Sequence, residues 1–175
     1  MILLITGNGK GKTTASLGQM VRVLGRNKAA LMIQFIKGPW ASGEDEFASK
    51  YKLNSDQFAI RKMGLGFVGI LGDPLPIEKH KEAAQNALAA FVEEKNSGKW
   101  HLIVLDEINV ALSLGLLALN DVIDAIKDYP DSRILILTGR DAPQTLIDIA
   151  DLATEMREIK HPFHEGIPGQ VMVEF

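Results

Sequence analysis

The sequence contains no cysteine, which excludes disulfide staples, zinc-thiolate centres and thiol nucleophiles. No apolar run approaches the roughly 18 residues of a membrane helix, so no membrane segment is expected. An excess of positive charge is missing too. Lys and Arg number 19 against 22 Asp and Glu, a net charge of -3, the wrong sign for a protein that holds nucleic acid by non-specific phosphate attraction. Aromatic residues make up only 6%, and no loop joins them to a basic run as a single-strand nucleic-acid motor would. The start "MILLITG" has no positively charged n-region and reads as a buried strand, not a signal peptide. Internal repeats and low-complexity tracts are absent. A cytoplasmic protein without a nucleic-acid or membrane partner is the expectation.

What is present is ordinary globular material: 175 residues, 46% hydrophobic and 23% charged, enough for one domain over 1–175. Near-continuous Val, Ile and Leu runs at 2–5, 29–35, 101–105 and 133–138 suit strands of a parallel sheet covered on both faces. Between them, 12–25, 76–98, 119–130 and 142–153 repeat apolar residues every three to four positions and read as amphipathic helices. Gly25 and Gly98 mark helix ends, and Asn120 and Pro143 lie near helix starts. Strand and helix alternation predicts an α/β three-layer sandwich with a mostly parallel sheet and right-handed crossovers. Residues 36–76 differ, being dense in Gly and Pro around a weaker strand at 58–62; long loops of this kind are more often functional than neutral.

The first strand runs into "TGNGKGKTT" (6–14). Gly11, Lys12 and Thr13 match the end of a phosphate loop, while Thr6 stands where the strict pattern has its first glycine. Placement after a strand and before a helix is what the mechanism needs. Gly7, Gly9 and Gly11 allow backbone N–H groups to turn toward an anion, and the helix start adds its positive end. Lys12 reaches phosphate oxygens, and the Thr13 hydroxyl is placed to ligate Mg2+. Asn8 and Thr14 belong to the same cradle; Lys10 is either a second phosphate contact or simply solvated.

"HLIVLDEIN" (101–109) puts Asp106 and Glu107 at the carboxyl end of a buried strand, where ligands bind in open α/β sheets. Both are candidate metal-side acids; the alternative is a helix N-cap at Asp106 followed by a first-turn acid. "LTGRDAP" (137–143) ends the next strand similarly, and Arg140 either touches phosphate or pairs with Asp141. His80 reads as lying on a polar helix face, and His101, His161 and His164 show no ligand spacing for a transition metal.

Taken together, "TGNGKGKTTA", "IQFIKGPWASGE", "MGLGF", "IVLDEIN", "LTGR", "ADLATEMREIKHPFHEGI" and Gln170 resemble the P-loop corrinoid adenosyltransferases of the ATP:cob(I)alamin type. The segments occur in the family's order across nearly the whole chain. The resemblance implies a P-loop NTPase, RecA-like architecture and a transfer instead of a phosphorylation: Co(I) of a reduced corrinoid attacks the 5′ carbon of ATP and expels triphosphate. It implies ATP and a corrinoid (cobalamin) as substrates, Mg2+, a reductase or flavodoxin-type electron donor, and a homodimer. ATP would be held by Thr6, Gly7, Asn8, Gly9, Lys10, Gly11, Lys12, Thr13, Thr14 and Arg140, reversed relative to other P-loop enzymes. Mg2+ would be held by Thr13, Asp106 and Glu107.

On the corrinoid side the resemblance points to Trp40, Gly66 and Phe67, with Phe67 packing under the corrin ring and displacing its lower axial ligand. A tryptophan usually follows two residues later, where this chain has Gly69. Lys12 and Phe67 carry the catalytic expectation. Readings from outside the family are another P-loop ATPase or small-molecule kinase, which would show a basic lid or acceptor-positioning acid, and a non-catalytic ATP- or corrinoid-binding protein.

Overall fold

In the computed structural model, which describes residues 1–70, 72–170 and 172–173, the apolar runs become parallel strands. β1 (Ile2–Thr6), β2 (Ala30–Gln34), β3 (Phe58–Lys62), β4 (Leu102–Asp106), β5 (Ile134–Thr138) and β6 (Leu152–Glu155) alternate with α1 (Lys12–Leu24), α2 (Gly43–Lys50), α3 (Ile77–Ser97), α4 (Ile108–Ser113), α5 (Leu119–Ile126) and α6 (Gln144–Ile149). The sheet order is β3-β2-β4-β5-β1-β6, and every pairing is parallel. β5 therefore separates the strand that leads into the phosphate loop from the strand that ends in Asp106.

Consecutive strand residues serve opposite faces, as pleating requires. Leu4, Leu31, Ile103 and Leu135 join the core under α3 and α5, with Phe91 and Val122. Their neighbours Ile5, Met32, Val104 and Ile136 join a second core with Met20 and Val23 of α1. β2 and β4 are buried at all five positions, which is why their sequences run apolar without a polar interval. The three-layer sandwich follows from those two faces.

The helix expected over 142–153 stops at Ile149, where Ala150 turns extended at ψ 137°. Residues 152–155 form the sixth strand instead, an edge strand exposed at all four positions. It is held by backbone pairing to β1 and by the Ile2 N–H donating to Asp151 Oδ2 at 2.6 Å, so no apolar pattern announces it. The Gly- and Pro-rich stretch likewise contains α2, entered through Ser42, whose N–H and hydroxyl both donate to Asp45 Oδ2 at 2.8 Å. His80 is not on a polar face: it is 3% exposed, and its Nε2 lies 2.9 Å from Asp73 Oδ2. Asp73 also accepts from the N–H groups of Gly69 (2.9 Å) and Leu75 (3.0 Å). A buried helix position thereby anchors the turn after Phe67.

Candidate active site

The strand register brings the site together. Gln34 sits opposite Asp106 across β2 and β4, and Thr138 closes β5, the next strand, so the polar residues that close three neighbouring strands converge at one edge. Asp106 is fully buried. Its Oδ1 accepts from the Thr13 hydroxyl and the Thr138 hydroxyl, both at 2.9 Å, and its Oδ2 from Gln34 Nε2 at 3.0 Å. The Thr138 oxygen in turn accepts the Glu107 N–H at 2.9 Å. Three strands and the first turn of α1 are thus tied to one carboxylate.

Thr6 leads into a loop in which Gly7 (φ 94°) and Gly11 (φ 118°) adopt left-handed backbone. At Gly9 the demand is space: an added Cβ would lie 2.6 Å from the Met156 carbonyl oxygen, which already accepts the Gly9 N–H at 2.6 Å. The segment leaving β6 therefore supports the loop from beneath. Lys12, 6% exposed, bends back over the loop and donates to the carbonyls of Gly7 (2.7 Å) and Gly9 (2.8 Å). Burial lowers its pKa, against the nearby Glu107 charge, which raises it.

Glu107, a candidate metal-side acid whose alternative reading was a first-turn acid after an N-cap at Asp106, is itself the residue at the N-cap of α4, in a left-handed conformation at φ 63°. Such backbone in a side-chain-bearing residue is uncommon and gathers at functional sites. Its Oε2 is buried without a hydrogen-bond partner. Burial first, and then the Asp106 charge, push its pKa up from 4.5 to about 7, while Lys12 and Arg140 pull the other way. The Thr13 hydroxyl, Asp106 and the unsatisfied Glu107 form an all-oxygen set that fits a hard cation such as Mg2+. Among the described residues no cluster of three or more His, Asp and Glu side chains is placed to hold a metal alone, so phosphate oxygens would have to complete the shell, the usual manner of Mg2+ in phosphate sites.

A cavity of about 780 Å³ opens over this edge, lined by the loop from Asn8 to Thr14, by Glu107 and Arg140, and by Phe67. Next to it lies a smaller pocket of about 230 Å³ walled by Ile36, Trp40, Gly66 and Phe67. Trp40 and Phe67 are 60% and 51% exposed, with ring centroids 6.0 Å apart. Gly66 makes room for the indole, since a Cβ there would stand 2.5 Å from the Trp40 ring. The loop bearing Phe67 is fixed to the end of β2 by the Gly66 N–H donating to the Ile36 carbonyl at 2.9 Å. A Cβ at Gly69 would meet nothing within 4 Å.

The whole chain, residues 1–175, matches the family described as ATP:corrinoid adenosyltransferase BtuR/CobO/CobP. It is 37% identical over 177 residues to the corrinoid adenosyltransferase of a Sinorhizobium species, covering all of this chain and 80% of that relative. To the corrinoid adenosyltransferase of Pseudomonas aeruginosa it is 35% identical over 175 residues, covering 83% of that protein. To corrinoid adenosyltransferase CobA of Salmonella typhimurium it is 31% identical over 180 residues, covering 85% of that protein. The chain belongs to the ATP:corrinoid adenosyltransferase family.

Within this adenosyltransferase the sequence candidates divide into three groups. Asn8, Gly9, Lys10, Gly11, Lys12, Thr13 and Thr14 line the large cavity together with Glu107 and Arg140. Thr6, Gly7 and Asp106 stand behind that wall: the Thr6 oxygen accepts the Ala142 N–H at 3.3 Å, and Asp106 reaches the cavity through Thr13. Trp40 and Gly66 line the smaller pocket, and Phe67 lines both. His161 also borders the cavity, from the 3-10 turn Pro162–Glu165 that it opens. No helix among the described residues is long and apolar enough to cross a membrane.

Residue reasoning passed over Gln34, Thr138, Lys37 and Glu44. The first two carried a signal, a polar side chain closing an otherwise apolar strand. Lys37 and Glu44 line the cavity and pair with each other at 2.5 Å; seven positions apart in an irregular segment, they left no periodic trace.

Proposed function

We propose that the protein transfers the 5′-deoxyadenosyl group of ATP to the cobalt of a reduced corrinoid and releases triphosphate. The cobalt(I) electron pair forms the bond to the 5′ carbon, the bond between that carbon and the α-phosphate oxygen breaks, and its electron pair leaves with triphosphate. The observation that carries this reading is one cavity lined both by a phosphate loop with Lys12 and by an exposed aromatic, Phe67. The chain supplies no nucleophile, because the corrinoid carries the difficult chemistry.

Its own residues position and neutralise. Lys12 leaves the Gly7 and Gly9 carbonyls for the triphosphate, concentrating positive charge where negative charge develops. Arg140 adds a second cation at the same wall. Mg2+ at Thr13, Asp106 and Glu107 would screen the triphosphate further, and Asp106 holds the Thr13 hydroxyl in place for it. Trp40, Gly66 and Phe67 would receive the corrinoid, with Phe67 beneath the ring. On the family resemblance the reading extends to a single domain over 1–175, a cytoplasmic homodimer, and electrons from a reductase or flavodoxin-type donor.

The test is incubation with Mg-ATP and chemically reduced cobalamin, following the absorbance change of cobalt-carbon bond formation together with triphosphate release. Adenosylcobalamin and triphosphate in equal amounts are expected; ADP or free phosphate without adenosylcobalamin would refute the reading. Phe67→Ala should lose more activity with cob(II)alamin plus reductant than with preformed cob(I)alamin.

A further inference from the structure

Phe67 is half exposed, yet the chain on either side of it is fixed. Before it, the Gly66 N–H donates to the Ile36 carbonyl at 2.9 Å. After it, Val68 packs against the core that contains Phe91 of α3, and the Gly69 N–H donates to Asp73 Oδ2 at 2.9 Å. Gly69 has φ 67°, a left-handed backbone that tryptophan adopts only with strain. Where tryptophan is usual in the family, this chain therefore has a hydrogen-bonded turn.

Asp73 is the centre of that turn. Its Oδ1 accepts the Leu75 N–H at 3.0 Å, and its Oδ2 also faces His80 Nε2 at 2.9 Å. The backbone bonds from Gly69 and Leu75 first, and then His80, hold its pKa below the usual value. An ionised carboxylate only accepts, so His80 donates from Nε2. The side chains of His80 and Asp73 are 2% and 5% exposed, and each would be left unsatisfied if the turn moved. Neither lines the large cavity or the smaller pocket. Their reach to the corrinoid runs through the turn that carries Phe67.

We infer that Asp73 and His80 are positioning residues for reduction of the corrinoid: they hold the turn after Phe67 so that its ring keeps the lower axial nitrogen off the cobalt. The inference rests on the reading that Phe67 displaces that ligand. When the cobalt–nitrogen bond breaks, the donor pair leaves with nitrogen, and the cobalt orbital that takes one electron from the reductant falls in energy. Preformed cob(I)alamin already holds that electron. A slackened turn should therefore slow the cob(II)alamin route more than the cob(I)alamin route, and a misplacement of about 1 Å can cost roughly a hundredfold.

The experiment compares the parent, Asp73→Asn, His80→Leu, His80→Gln and Phe67→Ala, each with Mg-ATP. One readout is the ratio of the adenosylation rate from cob(II)alamin plus reductant to that from preformed cob(I)alamin. The other is the electron spin resonance of bound cob(II)alamin without reductant, in which an axial nitrogen splits the cobalt lines. The parent should diminish that splitting. In Asp73→Asn and His80→Leu the ratio should fall roughly ten- to hundredfold, and the splitting should return. His80→Gln, whose amide N–H reaches about as far as Nε2, should keep the parent ratio. Leucine fills the buried space of the ring without a donor, so the contrast between the two His80 variants separates the hydrogen bond from packing. Asp73→Asn keeps one acceptor oxygen and the side-chain size, and serves where His80→Leu folds poorly. Equal losses by both routes, equal losses in His80→Leu and His80→Gln, or a parent-like ratio in Asp73→Asn and His80→Leu would overturn the inference. If Phe67→Ala itself keeps the parent ratio, the reading of Phe67 fails and this inference with it; a ratio lowered in Phe67→Ala alone overturns only the role of Asp73 and His80.

Discussion

Replacing Glu107 with glutamine should make the ligand-free protein more stable at pH 8 and nearly unchanged at pH 4.5. The carboxyl is pushed from 4.5 to about 7, chiefly by burial and then by the Asp106 charge, and a rise of that size corresponds to about 3 kcal/mol. An unfolded chain releases this proton near pH 4.5, whereas the folded chain keeps it until about 7. Between those values the unfolded state binds fewer protons, so stability falls as pH rises, is greatest below 4.5 and levels off above 7. Glutamine, similar in shape and uncharged, removes that slope. The variant's advantage should therefore grow to about 3 kcal/mol at pH 8, roughly 6–12 °C in Tm for a chain of this size. Urea unfolding of both proteins at pH 4.5, 6, 7 and 8 isolates the effect, because titrations elsewhere cancel in the difference. A difference that stays flat with pH, or grows toward acid, would refute the reasoning. If Mg2+ binds as proposed, the same variant should lose Mg-ATP affinity, since the buried Glu107 oxygen without a partner would be offered to the cation. In the parent, Mg-ATP binding at pH 6.5 should release about one proton, seen as a buffer-dependent binding enthalpy.

Three further outcomes follow from the geometry. Lys12→Ala should lower the adenosylation rate by roughly a hundredfold or more by removing charge from the leaving group, while circular dichroism stays native. Gly9→Ala should destabilise the fold by roughly 1–3 kcal/mol, read as a lower unfolding midpoint, because the added carbon would meet the Met156 carbonyl at 2.6 Å and neither backbone can yield. Asp73→Ala should speed hydrogen exchange at the Gly69 and Leu75 amides by about tenfold or more, whereas His80→Gln, which keeps a donor toward Asp73, should change it less.

Much of this arrangement was legible in the residues. Buried parallel strands need continuous apolar runs, so β1, β2, β4 and β5 were visible within a residue or two, and a phosphate loop can only follow a strand and open a helix. β6 was hidden because an exposed edge strand is held by backbone hydrogen bonds to β1, which "LATE" does not encode as a pattern. α2 was hidden because it buries none of its own residues, although Ser42 followed by Asp45 is a recognisable helix entry. His80 misled because its helix neighbours are charged while its own ring is claimed by Asp73, a contact the i, i+3 and i+4 pattern of α3 does not show.

The sequence by itself determined the chemistry available to the protein: a phosphate loop, two acids at a strand end, an aromatic in a glycine-rich segment, and no thiol. Local spacing suffices for that, since each motif works through its own few residues. Only the tertiary structure decided how they act together. Strand order and register set Gln34, Thr138 and Thr13 around one Asp106 carboxylate, left the adjacent half-buried Glu107 with an unsatisfied buried oxygen, and extended the phosphate cavity along α1 to Phe47. Such relations depend on which strands are neighbours, and neighbours in a parallel sheet are separated in the chain by whole crossovers.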